Sequence, residues 1–471
     1  MKFISFLLVF FPLSGLYAND FRIQIEGHFP GAEGQLIRLM EYNDQISYRE
    51  MEIANSKIDE EGRFSMSFSR FSPQYVFFRI DHARMGFFVE PGESYSLAFD
   101  AVDFNLLDDS RNPYLNPWYF NFSLHDNASG LNDQIDQFED LFHDFLLENF
   151  AAIRVGRNRR LFDEFKASMD STFSEVDNEY FQAYYDYKFA YYYRAANIVN
   201  FHEQMRTHLL NRPVLYHNTQ YMNFFNTVFD TWVFAGSRNI TLRDLSYTVN
   251  RLNSYDALMD SLGKDTLLRN EVIRELVMLK ALQDMHGNPD YRRDNVENIL
   301  SYVAENSRFP EHRKVAANIL FQKNNMINGA KAPSIVLKDN DGKEVRIPED
   351  FEGKYLYLGF WASWCETCLL EFIALNELHE KYKDNFAVVN ISTDRHMRIY
   401  ESFVKNTDYP WINLYFNHDF RLLDTYHVKS LPLFVLLDRQ GRILEFPARR
   451  PSNNLHTLFE YYLFQQRRGR N

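Results

Sequence analysis

An unbroken apolar run, Tyr355-Leu356-Tyr357-Leu358-Gly359-Phe360, leads straight into Trp361-Ala362-Ser363-Trp364-Cys365-Glu366-Thr367-Cys368. A run without polar alternation predicts a strand covered on both faces, as in a sheet with helices above and below. After the cysteines the pattern turns helical. Glu366 to Tyr382 reads as an amphipathic helix with Leu370, Ala374 and Leu378 on one face. A buried strand that hands a cysteine to the start of a helix commits this part of the chain to an α/β layer. The flanking segments agree. Ile335–Leu337 and Phe386–Ile391 read as strands, and Asp339-Asn340-Asp341-Gly342 as a hairpin turn. Phe434–Leu437 and Ile443–Phe446 flank the turn Asp438–Gly441, and Leu455–Phe464 closes the segment as a helix.

The chain has only two cysteines, and both lie in this Cys365-x-x-Cys368. The free N–H groups at a helix start, with the positive end of its dipole, stabilise a thiolate, the form that attacks disulfides. Cys368 stands one turn further on, in reach of the first sulfur. Cys365 is therefore expected to be the exposed attacking thiol and Cys368 the buried resolving one. Three other readings stay open. A structural disulfide would close so small a ring that it would stabilise little. A zinc half-site would need two more ligands, which no second C-x-x-C or close His pair supplies. An inert motif is the third.

At 471 residues the chain is long enough for about three domains. Residues 1–18 read as a signal peptide: Lys2, the apolar run Phe3–Leu13, then Ser14, Gly15 and Ala18, with cleavage near Ala18. No cysteine stands there to carry a lipid. The mature protein is expected to be exported and soluble. Residues 19–105 alternate at Phe21, Ile23, Ile25, at Phe64, Met66, Phe68 and at Tyr95, Leu97, Phe99, between turns such as Asp59–Gly62 and Glu90-Pro91-Gly92. Residues 106–325 shift to a helical period, with Ile135, Phe138, Phe142 and Phe145 on one face. Glu179–Val199, crowded with Tyr and Phe, predicts a buried central helix, and a ligand groove is its other reading. Residues 324–329 form a linker into the last domain, 329–471. The predicted fold is thus multidomain: an N-terminal antiparallel β domain, a central all-α region and a C-terminal α/β domain. A net charge of −13 argues against nucleic acid, which needs a basic stripe, and the basic tail at Arg467, Arg468 and Arg470 is read as a solvated end.

Residues 329–465 resemble the TlpA/ResA branch of exported thioredoxin-like oxidoreductases. The resemblance rests on Ala332-Pro333, Asp341-Gly342-Lys343, Gly353-Lys354, the Phe360–Cys368 block, Glu371 and Leu431-Pro432. Residues 19–105 resemble the β-rich domain that precedes such domains in exported Bacteroidetes proteins, through Asp59-x-x-Gly62-x-Phe64 and Glu90-Pro91-Gly92. The first resemblance implies a cis Pro432 facing the dithiol, with the Leu431 backbone pairing with a substrate segment. Trp364, Glu366 and Thr367 complete the expected substrate-contacting set. Glu371 would tune thiol ionisation, and Glu366, beside Cys365, would disfavour the thiolate and push the couple toward reduction. The chain departs from the family pattern at Thr367 and Ile373, where prolines are usual, and at Leu431, where Thr or Val is common. Gly359 stands where thioredoxins carry a buried Asp, so Glu371 is expected to be the main acid.

The implied function is a periplasmic reductase or isomerase of protein disulfides, with a membrane thiol relay as electron donor. No cofactor beyond the Cys365–Cys368 disulfide and no metal is expected, and the extra N-terminal regions suggest a homodimer. A peroxidase would need Pro-x-x-x-Thr-x-x-Cys, which is absent. The alternative is an envelope binding or scaffold protein whose thioredoxin-like domain is redox-inert.

Overall fold

The computed structural model describes residues 21–104, 118–126, 130–154, 158–196, 198–210, 212–324 and 326–468. The expected signal peptide, its cut near Ala18, and Arg470 lie outside these residues. The chain divides into two compact units, one holding most residues up to Ile319 and the other those from Leu320 onward.

The first unit opens with β1 (Arg22–His28), β2 (Leu36–Tyr42), β3 (Glu50–Lys57), β4 (Arg63–Ser69), β5 (Gln74–Ile80), β6 (Ala83–Val89), β7 (Ser94–Phe99) and β8 (Phe122–Asp126). They make two four-stranded sheets, ordered β4-β1-β7-β8 and β3-β2-β5-β6. The alternation reads directly as burial: Ile23, Ile25, Phe64, Met66, Tyr95, Leu97 and Phe99 are all buried. The Asp59 carboxylate accepts the Glu61 and Arg63 N–H groups, and Gly62 takes the left-handed φ of +76° that this turn requires. One pairing departs from the antiparallel expectation. β1 and β7 run parallel, with Gln24 opposite Ser94, while β1–β4, β2–β3, β2–β5 and β7–β8 are antiparallel. A parallel pair needs a long crossover, and no local turn signal announces it.

Among the described residues, ten α-helices follow: α1 (Leu131–Arg154), α2 (Arg159–Thr172), α3 (Glu179–Ala195), α4 (Phe201–His208), α5 (Thr219–Val228), α6 (Leu242–Tyr247), α7 (Tyr255–Gly263), α8 (Glu271–Met285), α9 (Arg293–Asn306) and α10 (Pro310–Asn324). Asparagines cap five of them. Asn158, Asn178, Asn200, Asn218 and Asn270 each accept a first-turn N–H, a contact worth about 1 kcal/mol per helix. α3 is the buried central helix the sequence predicts. Its Phe181 and Phe189 pack with Phe138 and Phe142 of α1 and Phe162 of α2. Its buried tyrosines satisfy their hydroxyls, Tyr184 on Glu139 and Tyr185 on Asp170, each at 2.6 Å. Phe88 of β6 belongs to the same cluster, and the Asn132 side chain bonds both its N–H and its carbonyl. The sheets and the first helices therefore share a core.

The second unit contains β9 (Ile335–Lys338), β10 (Glu344–Ile347), β11 (Tyr355–Trp361), α11 (Glu366–Tyr382), β12 (Phe386–Ser392), α12 (Met397–Thr407), β13 (Ile412–Tyr415), α13 (Phe420–Thr425), β14 (Leu433–Leu437), β15 (Ile443–Glu445) and α14 (Leu455–Arg468). The main sheet is ordered β13-β12-β11-β14-β15. β11 pairs in parallel with β12 and antiparallel with β14. All seven residues of β11 are buried, as its unbroken apolar run requires. α11 spans the predicted residues, uninterrupted at Ile373, but its buried stripe is not the one expected. Leu370 is 59% exposed, and the helix turns Cys368, Glu371, Phe372, Leu375 and Tyr382 inward. The buried stripe includes a cysteine and a glutamate, so a reading by residue class placed it one position away. Among the described residues, no helix is long and apolar enough to cross a membrane.

Candidate active site

Sheet pairing gathers three segments at one end of β11. Phe360 lies opposite Leu433, so Leu431-Pro432 precedes β14 where the cysteine loop leaves β11. Trp361 lies opposite Ser392, so Thr393 and Asp394 follow β12 at the same place. The carboxyl ends of parallel strands are where α/β sheets build their sites. The Thr393 N–H and hydroxyl both reach the Trp361 carbonyl, at 2.8 and 3.2 Å.

Cys365 is the N-cap of α11, and its Sγ accepts the Cys368 N–H at 3.2 Å. This is the donor arrangement that favours negative charge on sulfur. The Thr367 hydroxyl lies 3.4 Å from the same sulfur. Cys365 and Cys368 are joined by a disulfide, with their Cα atoms 5.2 Å apart. Cys368 is fully buried, as expected. Cys365 departs from the expectation of an exposed thiol, because only 5% of it reaches solvent. Its sulfur is turned back onto the first turn of α11 and bonded to Cys368, so little of it faces outward. Glu366 and Thr367 are exposed, Trp364 and Leu431 are half-buried against the core, and Pro432 is buried with a cis Leu431–Pro432 bond.

Glu371 is buried rather than a helix-surface acid. Its Oε2 accepts the Ser452 N–H and its Oε1 the Ser452 hydroxyl, both at 2.8 Å. Nearby, burial pushes the Tyr357 hydroxyl far up, and the Glu371 charge adds to the shift. That hydroxyl donates to the Arg449 carbonyl at 2.6 Å.

A second buried acid, which sequence reasoning missed, bonds directly to the cysteine loop. Asp394 is 2% exposed. Its Oδ1 accepts the Ser363 N–H at 2.9 Å and the Ser363 hydroxyl at 2.7 Å, and its Oδ2 accepts the Ser392 hydroxyl at 2.6 Å. Burial pushes this carboxyl up, against the pull of the serine hydrogen bonds. The available signal was Ser392-x-Asp394 at the end of an apolar strand, which reads equally as an ordinary turn. Gly359 leaves no room for an acid of its own. A Cβ there would stand 2.1 Å from Asn390 Oδ1 and 2.9 Å from the Phe434 ring. Among the described residues, no group of three or more His, Cys, Asp or Glu is placed to hold a metal ion.

Residues 353–443 match the family described as Thioredoxin-like. The ResA thiol-disulfide oxidoreductase of Bacillus cereus (strain ZK / E33L) is 32% identical over 124 residues, which is 26% of this chain and 70% of that protein. The chain belongs to the ResA family. The ResA protein of Bacillus subtilis (strain 168) is 28% identical over 126 residues, 26% of this chain and 68% of its own length. Among solved structures, a thiol-disulfide oxidoreductase from Bacteroides fragilis NCTC 9343 is 28% identical. It covers 28% of this chain and 98% of its own, with a TM-score of 0.26. The ResA-like part is a thioredoxin-like thiol-disulfide oxidoreductase domain, and its cysteine pair is the Cys365–Cys368 disulfide of the site described above.

Proposed function

We propose that this chain is an exported reductase or isomerase of protein disulfides acting in the periplasm. The observation that carries the reading is the N-cap position of Cys365, whose sulfur receives the Cys368 N–H. The Cys365 thiolate attacks one sulfur of a substrate disulfide, forming a mixed disulfide and releasing the other as a thiolate. Cys368, deprotonated, then attacks Cys365 Sγ, closing the Cys365–Cys368 bond and releasing the second substrate thiol. Two electrons pass to the substrate, and a membrane dithiol relay restores the reduced pair. Trp364, Glu366, Thr367, Leu431 and Pro432 frame the substrate segment. Leu370 and Ile373, about 60% exposed on the helix that begins at the dithiol, offer apolar contact to a partly unfolded substrate. The reading divides the chain into a signal peptide at 1–18, a β domain at 19–105, a helical domain at 106–325 and the redox domain at 329–471.

The deciding experiment is a redox titration of the purified mature chain against glutathione or dithiothreitol, with insulin reduction measured alongside. A reversible couple in the reducing range, with activity lost in Cys365→Ser, is the expected result. Activity that persists in Cys365→Ser overturns the assignment.

A second reading, a binding protein with an inert dithiol, draws support from one observation. An open groove of about 530 Å³ in the first unit is lined by Tyr48, Lys188, Tyr191, Tyr192, Asn226 and Lys280, with no aliphatic side chain among its lining residues. Failure of the native, reduced chain to react with a thiol reagent would favour this reading over the first.

A further inference from the structure

We propose that Asp394 is a positioning residue of the dithiol, holding through Ser363 the turn that presents Cys365 to the first turn of α11. The proposal deepens the oxidoreductase reading and rests on it.

Four hydrogen bonds staple the loop leaving β11 onto the end of β12. Two run from Thr393 to the Trp361 carbonyl, and two run from Ser363 to Asp394 Oδ1. Ser392 fixes the carboxylate from behind, its hydroxyl donating to Oδ2 and accepting the Asp394 N–H at 3.1 Å. Two residues beyond Ser363, the Cys365 N–H closes a turn onto the Ala362 carbonyl at 3.0 Å, and Cys365 Sγ meets the Cys368 N–H. The place of the attacking sulfur thus depends on a chain of contacts that ends at one buried carboxylate.

The use of an acid here needs a reason. An asparagine could accept both Ser363 donors through its Oδ1 and bond Ser392 through its amide, with no charge to bury. Burying a carboxylate costs more than burying an amide. Charge-assisted bonds are shorter and about twice as strong as neutral ones, so the acid holds the loop more firmly. The other ionisable side chains in the first two turns of α11 and directly after Asp394 are Glu366, Glu371, Arg395 and His396. All four are unchanged in the variants below.

The test is the pH dependence of iodoacetamide labelling of the full chain in a Cys368→Ser background, so that Cys365 alone reports. Asp394→Ala is expected to raise the labelling midpoint by at least half a pH unit, about a threefold loss of rate at fixed pH. Asp394→Asn, which keeps an acceptor for Ser363, is expected to restore the parent midpoint or go below it. Ser363→Ala, which keeps the backbone bond, is expected to shift in the direction of the alanine variant by less. A folded Asp394→Ala with the parent midpoint overturns the proposal, as does an equal shift in Asp394→Asn. Should Asp394→Ala fail to fold, an unshifted Ser363→Ala overturns it. A parent protein whose Cys365 never labels would instead sink the oxidoreductase reading itself.

Discussion

Glu371 and Ser452 are joined by two hydrogen bonds of 2.8 Å, one from the serine N–H and one from its hydroxyl, each to a different carboxylate oxygen. The pair ties the helix that starts at the dithiol to the turn that leads into α14. Glu371→Ala leaves the Ser452 donors without their acceptor and is expected to cost about 1–3 kcal/mol, read by urea unfolding. Glu371→Gln, which keeps one acceptor, is expected to cost less. An unchanged unfolding midpoint in Glu371→Ala would remove this anchoring role.

The buried Glu275 is the centre of a network in the helical region. His312 Nδ1 lies 2.8 Å from it, Tyr255 donates at 2.6 Å, and Ser307 also donates to it. Burial pulls the carboxyl upward, but the bonds from His312, Ser307 and Tyr255 outweigh it and leave the group below its ordinary range. A carboxyl depressed in the folded state adds stability above its unfolded pKa, about 4.3, and that stability is lost as pH falls through the lower folded value. Thermal melts from neutral pH down to about pH 3 are expected to show this loss, and Glu275→Gln is expected to flatten that limb. Parallel curves for the two proteins would contradict it.

Gly359 faces the Asn390 amide and the Phe434 ring inside the sheet. Gly359→Ala is expected to destabilise by about 1–3 kcal/mol through overpacking, with the melting temperature as the readout. Asn390→Ala in the same chain should recover part of the loss. A melting temperature unaffected by Gly359→Ala would mean that the asparagine swings aside freely.

Cys368→Ser is expected to accumulate a mixed disulfide with a reporter protein disulfide, visible on a non-reducing gel and reversed by dithiothreitol. Cys365→Ser is expected to accumulate none. The opposite pattern would exchange the attacking and resolving roles.

Much of the second unit was legible because its signals are local. β11 is buried at every residue, and its sequence carries no polar position. α11 begins and ends where its period does. The inward stripe of α11 differs from the expected one because Glu371, a residue type that is usually exposed, is buried in it. Glu371 is buried because Ser452, 81 residues away, meets its carboxylate, and nothing near Glu371 in sequence announces that partner. Asp394 escaped notice for the same reason, since Ser363 stands 31 residues before it. The parallel pairing of β1 with β7 is likewise set by a long crossover. The five asparagine caps, by contrast, were within reach of the sequence, each standing just before a helical run.

The chain's only two sulfhydryl groups meet in a single ring that spans three residue steps. No competing partner exists within the chain, so oxidation of one molecule can give only this one intramolecular pairing. Opening the ring frees no long loop, and the tertiary structure has nothing large to lose when it opens. The domain is therefore a two-position device on a fixed chassis. A simple count of free thiols in denatured protein reads how many of its molecules are holding an electron pair.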